Sequence, residues 1–381
     1  MKIQFKVQSG ELGRTILGLS RIIAGKHTLA ILDHFLFEVA EQELQITASD
    51  NENMMVTTID IIESTNGPVD KPIKFCVRYD VVCDVLKNLP DQPISFDVDL
   101  SKDEIVLSYM SGHIKFPCVS GKEYPIINFC KENSCVVSLD SDLMLKDINS
   151  VCPFTAQDTI RLTLNAVCFN FQKEYLDVVS TNGNVLMKIS HKDVKTENEK
   201  NLLLPPKPVS ILKYFLNKAE NIVNIIFNDN SAVFECNNWK LTCRLIEGRY
   251  PNYDSVIPTI SSCEVEIEKK TLQDAIKRIL PMGNQEIKVI LMEFEKDTLT
   301  LSSENTVFST SAKETIPCNY PMDYIFIGVN GEIFHNLLSH VPTDNVKLLM
   351  TTETRPILIV PETELENEEF YALIMPAQVN K

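Results

Sequence analysis

The sequence predicts an α+β fold in which three similar repeats each pack two helices on antiparallel sheets. Three observations predict it. The 381 residues divide into thirds of about 127 residues with the same order of elements. Segments in which apolar and polar residues alternate are followed by segments with helical periodicity. The strands succeed one another through short turns, which favours antiparallel pairing with the helices on one face.

Each third opens with an alternating strand followed by an amphipathic helix. In the first helix, Leu12, Ile16 and Leu19 recur at the spacing that places them on one face. The same pair of patterns recurs near residues 134 and 263. The predicted strand–helix pairs are Lys2–Val7 with Glu11–Ala24, Ser134–Leu139 with Asp140–Ser150, and Cys263–Ile267 with Lys269–Met282.

The middle of each third predicts a strand, a helix, a turn and another strand. Further alternating segments bring each third to about eight strands, and we expect domains at 1–127, 128–259 and 260–381. Three equal domains with one plan predict a pseudo-symmetric assembly. The predicted middle units are Ile73–Cys76, Arg78–Leu89 and Ile94–Val98; Leu202–Leu204, Lys207–Lys218 and Ile222–Phe227; and Tyr324–Ile327, Gly331–Val341 and Val346–Met350.

Composition limits the classes of function. The net charge is −16, from 36 Lys and Arg against 52 Asp and Glu. This argues against a basic nucleic-acid binder and against binding to an anionic membrane, although net charge does not say where the charge lies. The apolar fraction of 44% is sufficient for real cores. No membrane-length apolar run and no signal-like stretch are present, so we expect a soluble intracellular protein.

The sequence predicts no catalytic constellation, no metal site and no cofactor. Twelve glycines form neither of the common phosphate-binding loops, and eleven cysteines form no C-x-x-C pair, so we expect buried reduced thiols. An enzyme that uses scattered carboxylates is an alternative. Its candidates would be Asp50 with Glu52, or the segment Glu362–Glu369. The first group is more typical of a turn and the second of a solvated loop.

Several short strings occur in a fixed order along the whole chain. They are Thr28–Leu32 with Phe35–Phe37, Thr47–Asp50 with Met54–Val56, Glu123–Pro125, Leu164–Asn165, Thr181–Gly183, Gly248–Pro258 and Met375–Pro376. Together they resemble the bacterial DNA polymerase III beta subunit family, the DNA sliding clamps, and Gly248–Pro258 is the most specific of them.

The resemblance implies a head-to-tail homodimer that closes a ring of six similar domains around double-stranded DNA, without sequence specificity. It implies a non-catalytic cytoplasmic protein that tethers the replicative polymerase to its template. Its other implied partners are the clamp loader, further polymerases and repair proteins, which bind through short peptide motifs, and no membrane is involved. A DNA-free scaffold that collects peptides is an alternative from a different class.

The charge distribution permits this function. The six predicted helices sum to +4, which leaves −20 for the other segments. In the family these helices line the hole, so the least acidic part of the chain would face DNA. Each side chain could equally be an ordinary solvated charge. The resemblance alone adds Lys26 and Gln157, which fall in loops that match DNA-contacting loops of the family. The predicted DNA-facing residues are Arg14, Arg21, Lys26, Arg78, Lys87, Lys146, Gln157, Lys207, Lys213, Lys218, Lys270, Lys277 and Arg278.

The resemblance also implies one peptide-binding pocket per protomer. The alternative is that Thr181–Gly183 forms part of an ordinary hairpin and that the leucines belong to a core. Ser255, Asn184 with Val185, and the residues after Pro376 depart from the family pattern and leave the preferred peptide open. The implied pocket residues are Leu164, Thr181, Gly183, Asn184, Val185, Leu186, Pro251, Val256, Leu373, Ile374, Met375 and Pro376.

Ring closure would dock the third domain of one chain on the first domain of the other. The resemblance places Ile279 and Leu280, at the end of a third-domain helix, against Ile114 and Phe116 on a first-domain edge strand. Pairing of edge strands would satisfy backbone groups that otherwise invite aggregation. The alternative is that Ile279 and Leu280 belong to the core of their own domain.

Overall fold

The structure is a computed structural model, and it contains the predicted mixture of helices and antiparallel sheets. Every pair of neighbouring strands in its sheets is antiparallel, so the predicted α+β class is confirmed. Two compact units are present, Met1–Lys146 with Pro205–Leu245, and Asp147–Leu204 with Ile246–Lys381. The described residues are 2–23, 25, 29–64, 72–197, 199–217, 222–258, 263–320, 322 and 324–378.

Six helices form within the described residues, close to the predicted positions. Arg78, predicted to begin the second helix, is instead the last residue of a strand. The fifth helix ends at Ile279, earlier than predicted, because Pro281 has no N–H to continue it and a 3₁₀ turn follows. The helices are α1 Ser9–Ile23, α2 Tyr79–Lys87, α3 Ser141–Val151, α4 Pro206–Leu216, α5 Lys269–Ile279 and α6 Gly331–His340.

The strands of the three repeats follow the same order. The first repeat contains β1 Lys2–Gln8, β2 His34–Val39, β3 Glu43–Ser49, β4 Asn53–Asp60, β5 Glu63–Ser64, β6 Ile73–Arg78, β7 Pro93–Asp99, β8 Glu104–Tyr109, β9 Gly112–Pro117 and β10 Val119–Ser120. The second contains β11 Cys135–Asp140, β12 Val167–Phe171, β13 Leu176–Thr181, β14 Val185–His191, β15 Lys200–Leu204, β16 Ile222–Phe227, β17 Ser231–Cys236 and β18 Trp239–Arg244. The third contains β19 Cys263–Glu268, β20 Val289–Glu295, β21 Thr298–Asn305, β22 Thr310–Pro317, β23 Ile325–Asn330, β24 Asn345–Met350, β25 Ile357–Pro361 and β26 Glu368–Ile374.

The first unit contains a five-stranded sheet, β5-β1-β7-β8-β9, and a nine-stranded sheet, β10-β6-β2-β3-β4-β18-β17-β16-β11. Their aromatic side chains meet in a shared core. Phe5 and Phe96 of the smaller sheet stack with ring centroids 5.0 Å apart, and Phe37 of the larger sheet lies 6.4 Å from Phe96. Burial of such rings is a main source of stability for the unit.

The second unit contains an eight-stranded sheet, β15-β12-β13-β14-β26-β25-β24-β19, and a four-stranded sheet, β22-β21-β20-β23. Helices α5 and α6 pack against each other, and α5 also contacts β21 and β22. A separate apolar cluster joins Tyr250 and Tyr253 to Leu186, Leu358 and Leu373 of the eight-stranded sheet. This cluster forms the base of the site described below.

The large sheets explain why three sequence repeats give two compact units. In the nine-stranded sheet, β4 of the first repeat pairs with β18 of the second, from Asn53–Cys243 to Thr57–Trp239. In the eight-stranded sheet, β14 of the second repeat pairs with β26 of the third. The second repeat therefore gives half of its strands to each unit, because backbone pairing continues across the repeat boundary.

The eleven cysteines are reduced thiols, as expected from the sequence, and eight of them are buried. Burial raises the pKa of Cys76 and of Cys243 to about 12, so both remain thiols at neutral pH. Cys130 is the exposed thiol of the set. No helix in the described part of the chain has the length and apolar character needed to cross a membrane.

Candidate functional site

A pocket of about 320 Å³, lined mainly by apolar side chains, opens on one face of the eight-stranded sheet. We call it the apolar pocket. A concave apolar surface with a few polar groups at its edge is typical of a binding site. Its lining residues are Arg161, Thr163, Leu164, Thr181, Gly183, Asn184, Val185, Leu186, Pro251, Asn252, Tyr253, Val256, Pro356, Leu373 and Met375.

Strand register builds the floor of the apolar pocket. Thr181 of β13 lies opposite Leu186 of β14, which lies opposite Leu373 of β26. Leu358 of β25 continues this row opposite Leu373. Because cross-strand partners point to the same side of a sheet, the row presents a continuous apolar surface. The two central leucines are almost fully buried, so the floor is rigidly packed.

A tight turn between β13 and β14 forms one edge of the pocket. Asn182 Oδ1 accepts hydrogen bonds from the backbone N–H groups of Asn184 and Val185, at 2.9 and 3.0 Å. Gly183 has φ of +94°, a conformation that strains residues with a side chain. Met375 closes the edge through a 2.8 Å bond from its N–H to the carbonyl of Asn184. Local hydrogen bonds therefore determine the turn, and the distant residue Met375 completes the edge.

Residues 250–256, here called the covering segment, form the opposite wall. Tyr250 and Tyr253 are buried against the sheet, with ring centroids 6.4 Å apart. The Tyr253 hydroxyl donates to Asp177 Oδ2 at 2.7 Å, and this ring also lines the pocket. Val256 follows in a 3₁₀ turn and is half-exposed at the mouth. The wall is thus an irregular segment held down by two aromatic anchors.

Arg161 supplies the cationic group of the pocket lining. Its Nε donates to Asp158 Oδ2 at 2.9 Å, and its side chain is 62% exposed. Backbone N–H groups of Arg161 and Ile160, followed by the guanidinium, hold the pKa of Asp158 at about 2. Asp158 is therefore a carboxylate at neutral pH, and the pair adds little net charge to a pocket that is otherwise suited to apolar side chains.

Ten of the twelve predicted pocket residues line the apolar pocket. Ile374 does not, because alternation along β26 points it to the face opposite Leu373. Pro376 lines a different groove with Phe326 and Glu353. Five lining residues were not predicted. Of these, Asn252 and Tyr253 lie inside the string Gly248–Pro258 and could have been found there, whereas no sequence signal marked Arg161, Thr163 and Pro356.

The predicted DNA-facing side chains differ in their surroundings. Lys26 and Lys218 lie outside the described residues. Lys207 and Lys213 are half-buried, and Lys207 binds Asp50 at 2.5 Å. The remaining nine are exposed, namely Arg14, Arg21, Arg78, Lys87, Lys146, Gln157, Lys270, Lys277 and Arg278.

Several of these exposed charges have partners within the chain. Arg78 forms an ion pair with Asp80 at 3.0 Å, and Arg278 forms a bidentate ion pair with Glu314 of β22. The Arg21 guanidinium lies 4.7 Å above the Tyr214 ring. By contrast, Arg14, Lys270 and Lys277 make no ion pair with any described residue, so their charges are available to a ligand.

The predicted dimer contacts lie on the edge strand of one sheet and at the end of a helix. Ile114 and Phe116 lie on β9, the edge strand of the five-stranded sheet, where Ile114 is half-buried and Phe116 is buried. Leu280 is half-buried just beyond α5. Ile279 is only 1% exposed and packs within its own unit, as the alternative interpretation expected.

The carboxylate candidates lie in a turn and in a loop of the described chain. Asp50 accepts from the backbone N–H of Glu52 and of Asn53, at 2.9 and 2.6 Å, so residues 50–52 form the turn between β3 and β4. The Glu362–Glu369 segment is mostly loop between β25 and β26. No group of three or more His, Cys, Asp or Glu side chains is placed to hold a metal ion among the residues that the structure describes.

Comparison with protein families places three matches in succession along the chain. The DNA polymerase III beta subunit N-terminal domain matches residues 3–128. The central domain of the same subunit matches residues 138–252, and its C-terminal domain matches residues 254–378. Together these matches extend over nearly the whole chain.

Individual relatives match over their full length at low identity. The beta sliding clamp of Pseudomonas putida is 22% identical over 380 residues, covering 99% of this chain and 100% of the relative. That of Escherichia coli K12 is 21% identical, covering 94% and 95%. A Pseudomonas aeruginosa sliding clamp structure bound to griselimycin has a TM-score of 0.91 at 18% identity, covering 100% of both chains. The DNA polymerase III beta subunit of Thermotoga maritima has a TM-score of 0.89 at 22% identity, covering 99% of this chain and 100% of that chain.

Proposed function

Because this chain belongs to the DNA polymerase III beta subunit family, the sliding clamps, we propose that it closes as a homodimeric ring around duplex DNA and tethers polymerases to it. In this function it is non-catalytic and acts in the cytoplasm, where bacterial DNA is replicated. The family matches support three domains near the expected boundaries of 1–127, 128–259 and 260–381. The observation that carries the proposal is a pair of matching free sheet edges.

The two joints inside the chain follow one rule. The fourth strand of a repeat, β4 or β14, pairs antiparallel with the last strand of the next repeat, β18 or β26. Applied to the third repeat, the rule leaves β22 without a following repeat. Apart from the two-residue strand β10, β9 is the last strand of the first repeat, and it has no preceding repeat to pair with. Both are edge strands of their sheets. Pairing of β22 with β9 of a second copy would repeat the joint and close a two-chain ring.

The size of the sheets supports the same assembly. The five-stranded sheet ends at β9 and the four-stranded sheet ends at β22. Joined across two copies, they would form nine strands, the same number as the large sheet of the first unit. Leu280, Ile114 and Phe116 lie beside these edges and are our proposed apolar contacts.

Binding of DNA would rest on exposed cations of the helices. With the observed helix bounds, the six helices sum to +3, while the chain carries −16. On α5, Lys270 and Lys277 are exposed and seven residues apart, so they lie on the same helical face. Contacts of this kind with phosphates carry no sequence information, which suits a ring that slides.

Partner binding would use the apolar pocket. Its aliphatic floor and its turn of Thr181–Val185 fit a short peptide that inserts apolar side chains and pairs with edge backbone groups. The proposed users are the replicative polymerase subunit, the clamp loader, other polymerases and repair proteins. A panel of fluorescein-labelled pentapeptides, with two leucine or phenylalanine side chains one to three residues apart, would identify a binder.

Retention on circular DNA tests the ring. The chain is loaded onto nicked circular DNA by its clamp loader, and the complex is separated by gel filtration at 0.5–1 M salt. We expect retention on the circle and release after a single restriction cut, because a ring slides off a free end. The same circle left uncut is the matched control. Failure to remain on circles, or persistence on linear DNA, would overturn the proposal.

A further inference from the structure

A buried lysine lies between the floor and the wall of the apolar pocket. Lys188 is on β14, two residues after Leu186 of the pocket floor, so both side chains point to the same face. Its side chain is only 12% exposed. Its Nζ lies 3.1 Å from Asp177 Oδ2 on β13 and 2.9 Å from Asp254 Oδ1, which follows Tyr253 in the chain.

The same group of residues anchors Tyr253. The Tyr253 hydroxyl donates to Asp177 Oδ2 at 2.7 Å, and it accepts a bond from Asn170 Nδ2 at 2.5 Å. Lys188 Nζ lies 5.1 Å from the centre of the Tyr253 ring, within the range of a cation–π interaction. The hydroxyl end of this ring is therefore fixed in the sheet, while the ring itself lines the pocket.

The buried carboxylate of Asp177 requires a compensating positive charge, which Lys188 can supply. The Asp177 side chain is fully buried, and its Oδ1 has no hydrogen-bond partner in the described structure. A buried carboxylate is costly unless a cation or several donors compensate it. Lys188 supplies the compensating positive charge, and its ammonium also contacts Asp254 of the wall. One ammonium thus connects the sheet to the covering segment.

We propose that Lys188 is a positioning residue of the apolar pocket. Its contacts with Asp177 and Asp254, here called the latch, hold the covering segment on the sheet and so set the distance between wall and floor. The inference rests on the proposed peptide-binding function. A pocket held in its bound shape before the peptide arrives loses less conformational entropy on binding. The latch therefore controls how tightly a peptide is held, although Lys188 is not among the residues that line the pocket.

Two substitutions test the latch without removing lining groups. Lys188→Met removes the ammonium and keeps an unbranched apolar side chain. Tyr253→Phe keeps the ring that lines the pocket and removes only the hydroxyl that binds Asp177. Lys188→Arg keeps the positive charge at this position. Lys192→Met is the matched control, because Lys192 is an exposed lysine on the same side of the sheet whose Glu369 ion pair lies outside the pocket.

The readout is the dissociation constant of the tightest pentapeptide of the panel, measured by fluorescence polarisation on the full chain. We expect Lys188→Met and Tyr253→Phe to weaken binding at least tenfold. Lys188→Arg should lie within threefold of the parent chain, and Lys192→Met should leave the constant unchanged. Circular dichroism establishes that each variant is folded, and Tyr253→Phe decides the question if Lys188→Met does not fold.

The outcomes separate the latch from the function on which it rests. If the parent chain binds none of the pentapeptides, the proposed peptide function fails. If the parent chain binds a pentapeptide and folded Lys188→Met and Tyr253→Phe bind it equally well, the latch is overturned and Lys188 serves only to neutralise Asp177. If Lys192→Met weakens binding as much as Lys188→Met does, general surface charge explains the effect and the latch is likewise overturned.

Discussion

The substitution Lys207→Met distinguishes a structural cation from a cation that faces DNA. Lys207 is the second residue of α4, and its Nζ contacts Asp50 Oδ2 at 2.5 Å and the carbonyl of Ile22 at 2.8 Å. These partners belong to the first repeat, so the lysine ties the second repeat to the first within one unit. The sequence alone suggested a DNA contact, whereas these bonds occupy the ammonium within the protein.

The expected loss of stability in Lys207→Met follows from the burial of the ion pair. Removal of one partner from a fully buried ion pair costs about 3–5 kcal/mol, because the other charge is left uncompensated. Asp50 has a side-chain exposure of 8%, but Lys207 is 38% exposed, so solvent screens part of the interaction. Asp50 also keeps its bonds from Glu52 and Asn53. We therefore expect Lys207→Met to lower the free energy of unfolding by about 1.5 kcal/mol at pH 7.

The pH dependence has a definite sign. Burial raises the pKa of Asp50, but the Lys207 hydrogen bond and the bonds from Asn53 and Glu52 outweigh it, so the pKa lies below the ordinary 3.8. A carboxyl group with a lowered pKa stabilises the fold above its unfolded value and loses that contribution as the pH falls. The difference in the free energy of unfolding between Lys207→Met and the parent chain should therefore have its largest value above pH 3.8 and decrease below it.

Urea unfolding and DNA binding are measured together, with Lys270→Met as the control. Lys270 is exposed and makes no ion pair with the described residues, so its substitution should change stability by less than about 0.5 kcal/mol. It should reduce the slope of log affinity against log salt by about 1, whereas Lys207→Met should not. Equal stability of Lys207→Met and the parent chain, or an equal loss of slope in both variants, would refute this reasoning.

Three further predictions concern the dimer, the pocket edge and the thiols. Leu280→Asp should leave the circular dichroism spectrum unchanged and give monomers by sedimentation, since Leu280 is half-buried beside a sheet edge; a persistent dimer contradicts its role. Gly183→Ala should lower the free energy of unfolding by about 1–2 kcal/mol and weaken binding of the selected pentapeptide, because φ of +94° strains alanine. If urea unfolding and peptide binding are both unchanged, the turn relaxes without cost and the prediction is wrong. Iodoacetamide at pH 8 should modify exposed Cys130 before buried Cys243 by peptide mass spectrometry, since burial raises the Cys243 pKa to about 12; equal rates would contradict this order.

Much of the local structure could be predicted from the sequence. The strand Ile222–Phe227 has its predicted bounds, and the strands predicted at Lys2–Val7 and Cys263–Ile267 each extend by one residue, because alternation of burial is a local property. The helices shift by only a few residues at their ends, where proline and capping residues decide the boundary. The pocket was largely anticipated because its turn and its covering segment are continuous strings that resemble a known family.

The sequence by itself determined the threefold repeat, the elements and the sites of the local turns. Only the tertiary structure decided which strands join across repeats, which side of a strand reaches the pocket, and which charges are already paired. Ile279 is buried, Lys207 binds Asp50, and Lys188 connects Asp177 to Asp254. Periodicity depends on neighbours along the chain, whereas these pairs bring together residues from separate elements of the chain. Their partners are chosen by packing and by the need to compensate buried charge, and neither is encoded in a local pattern.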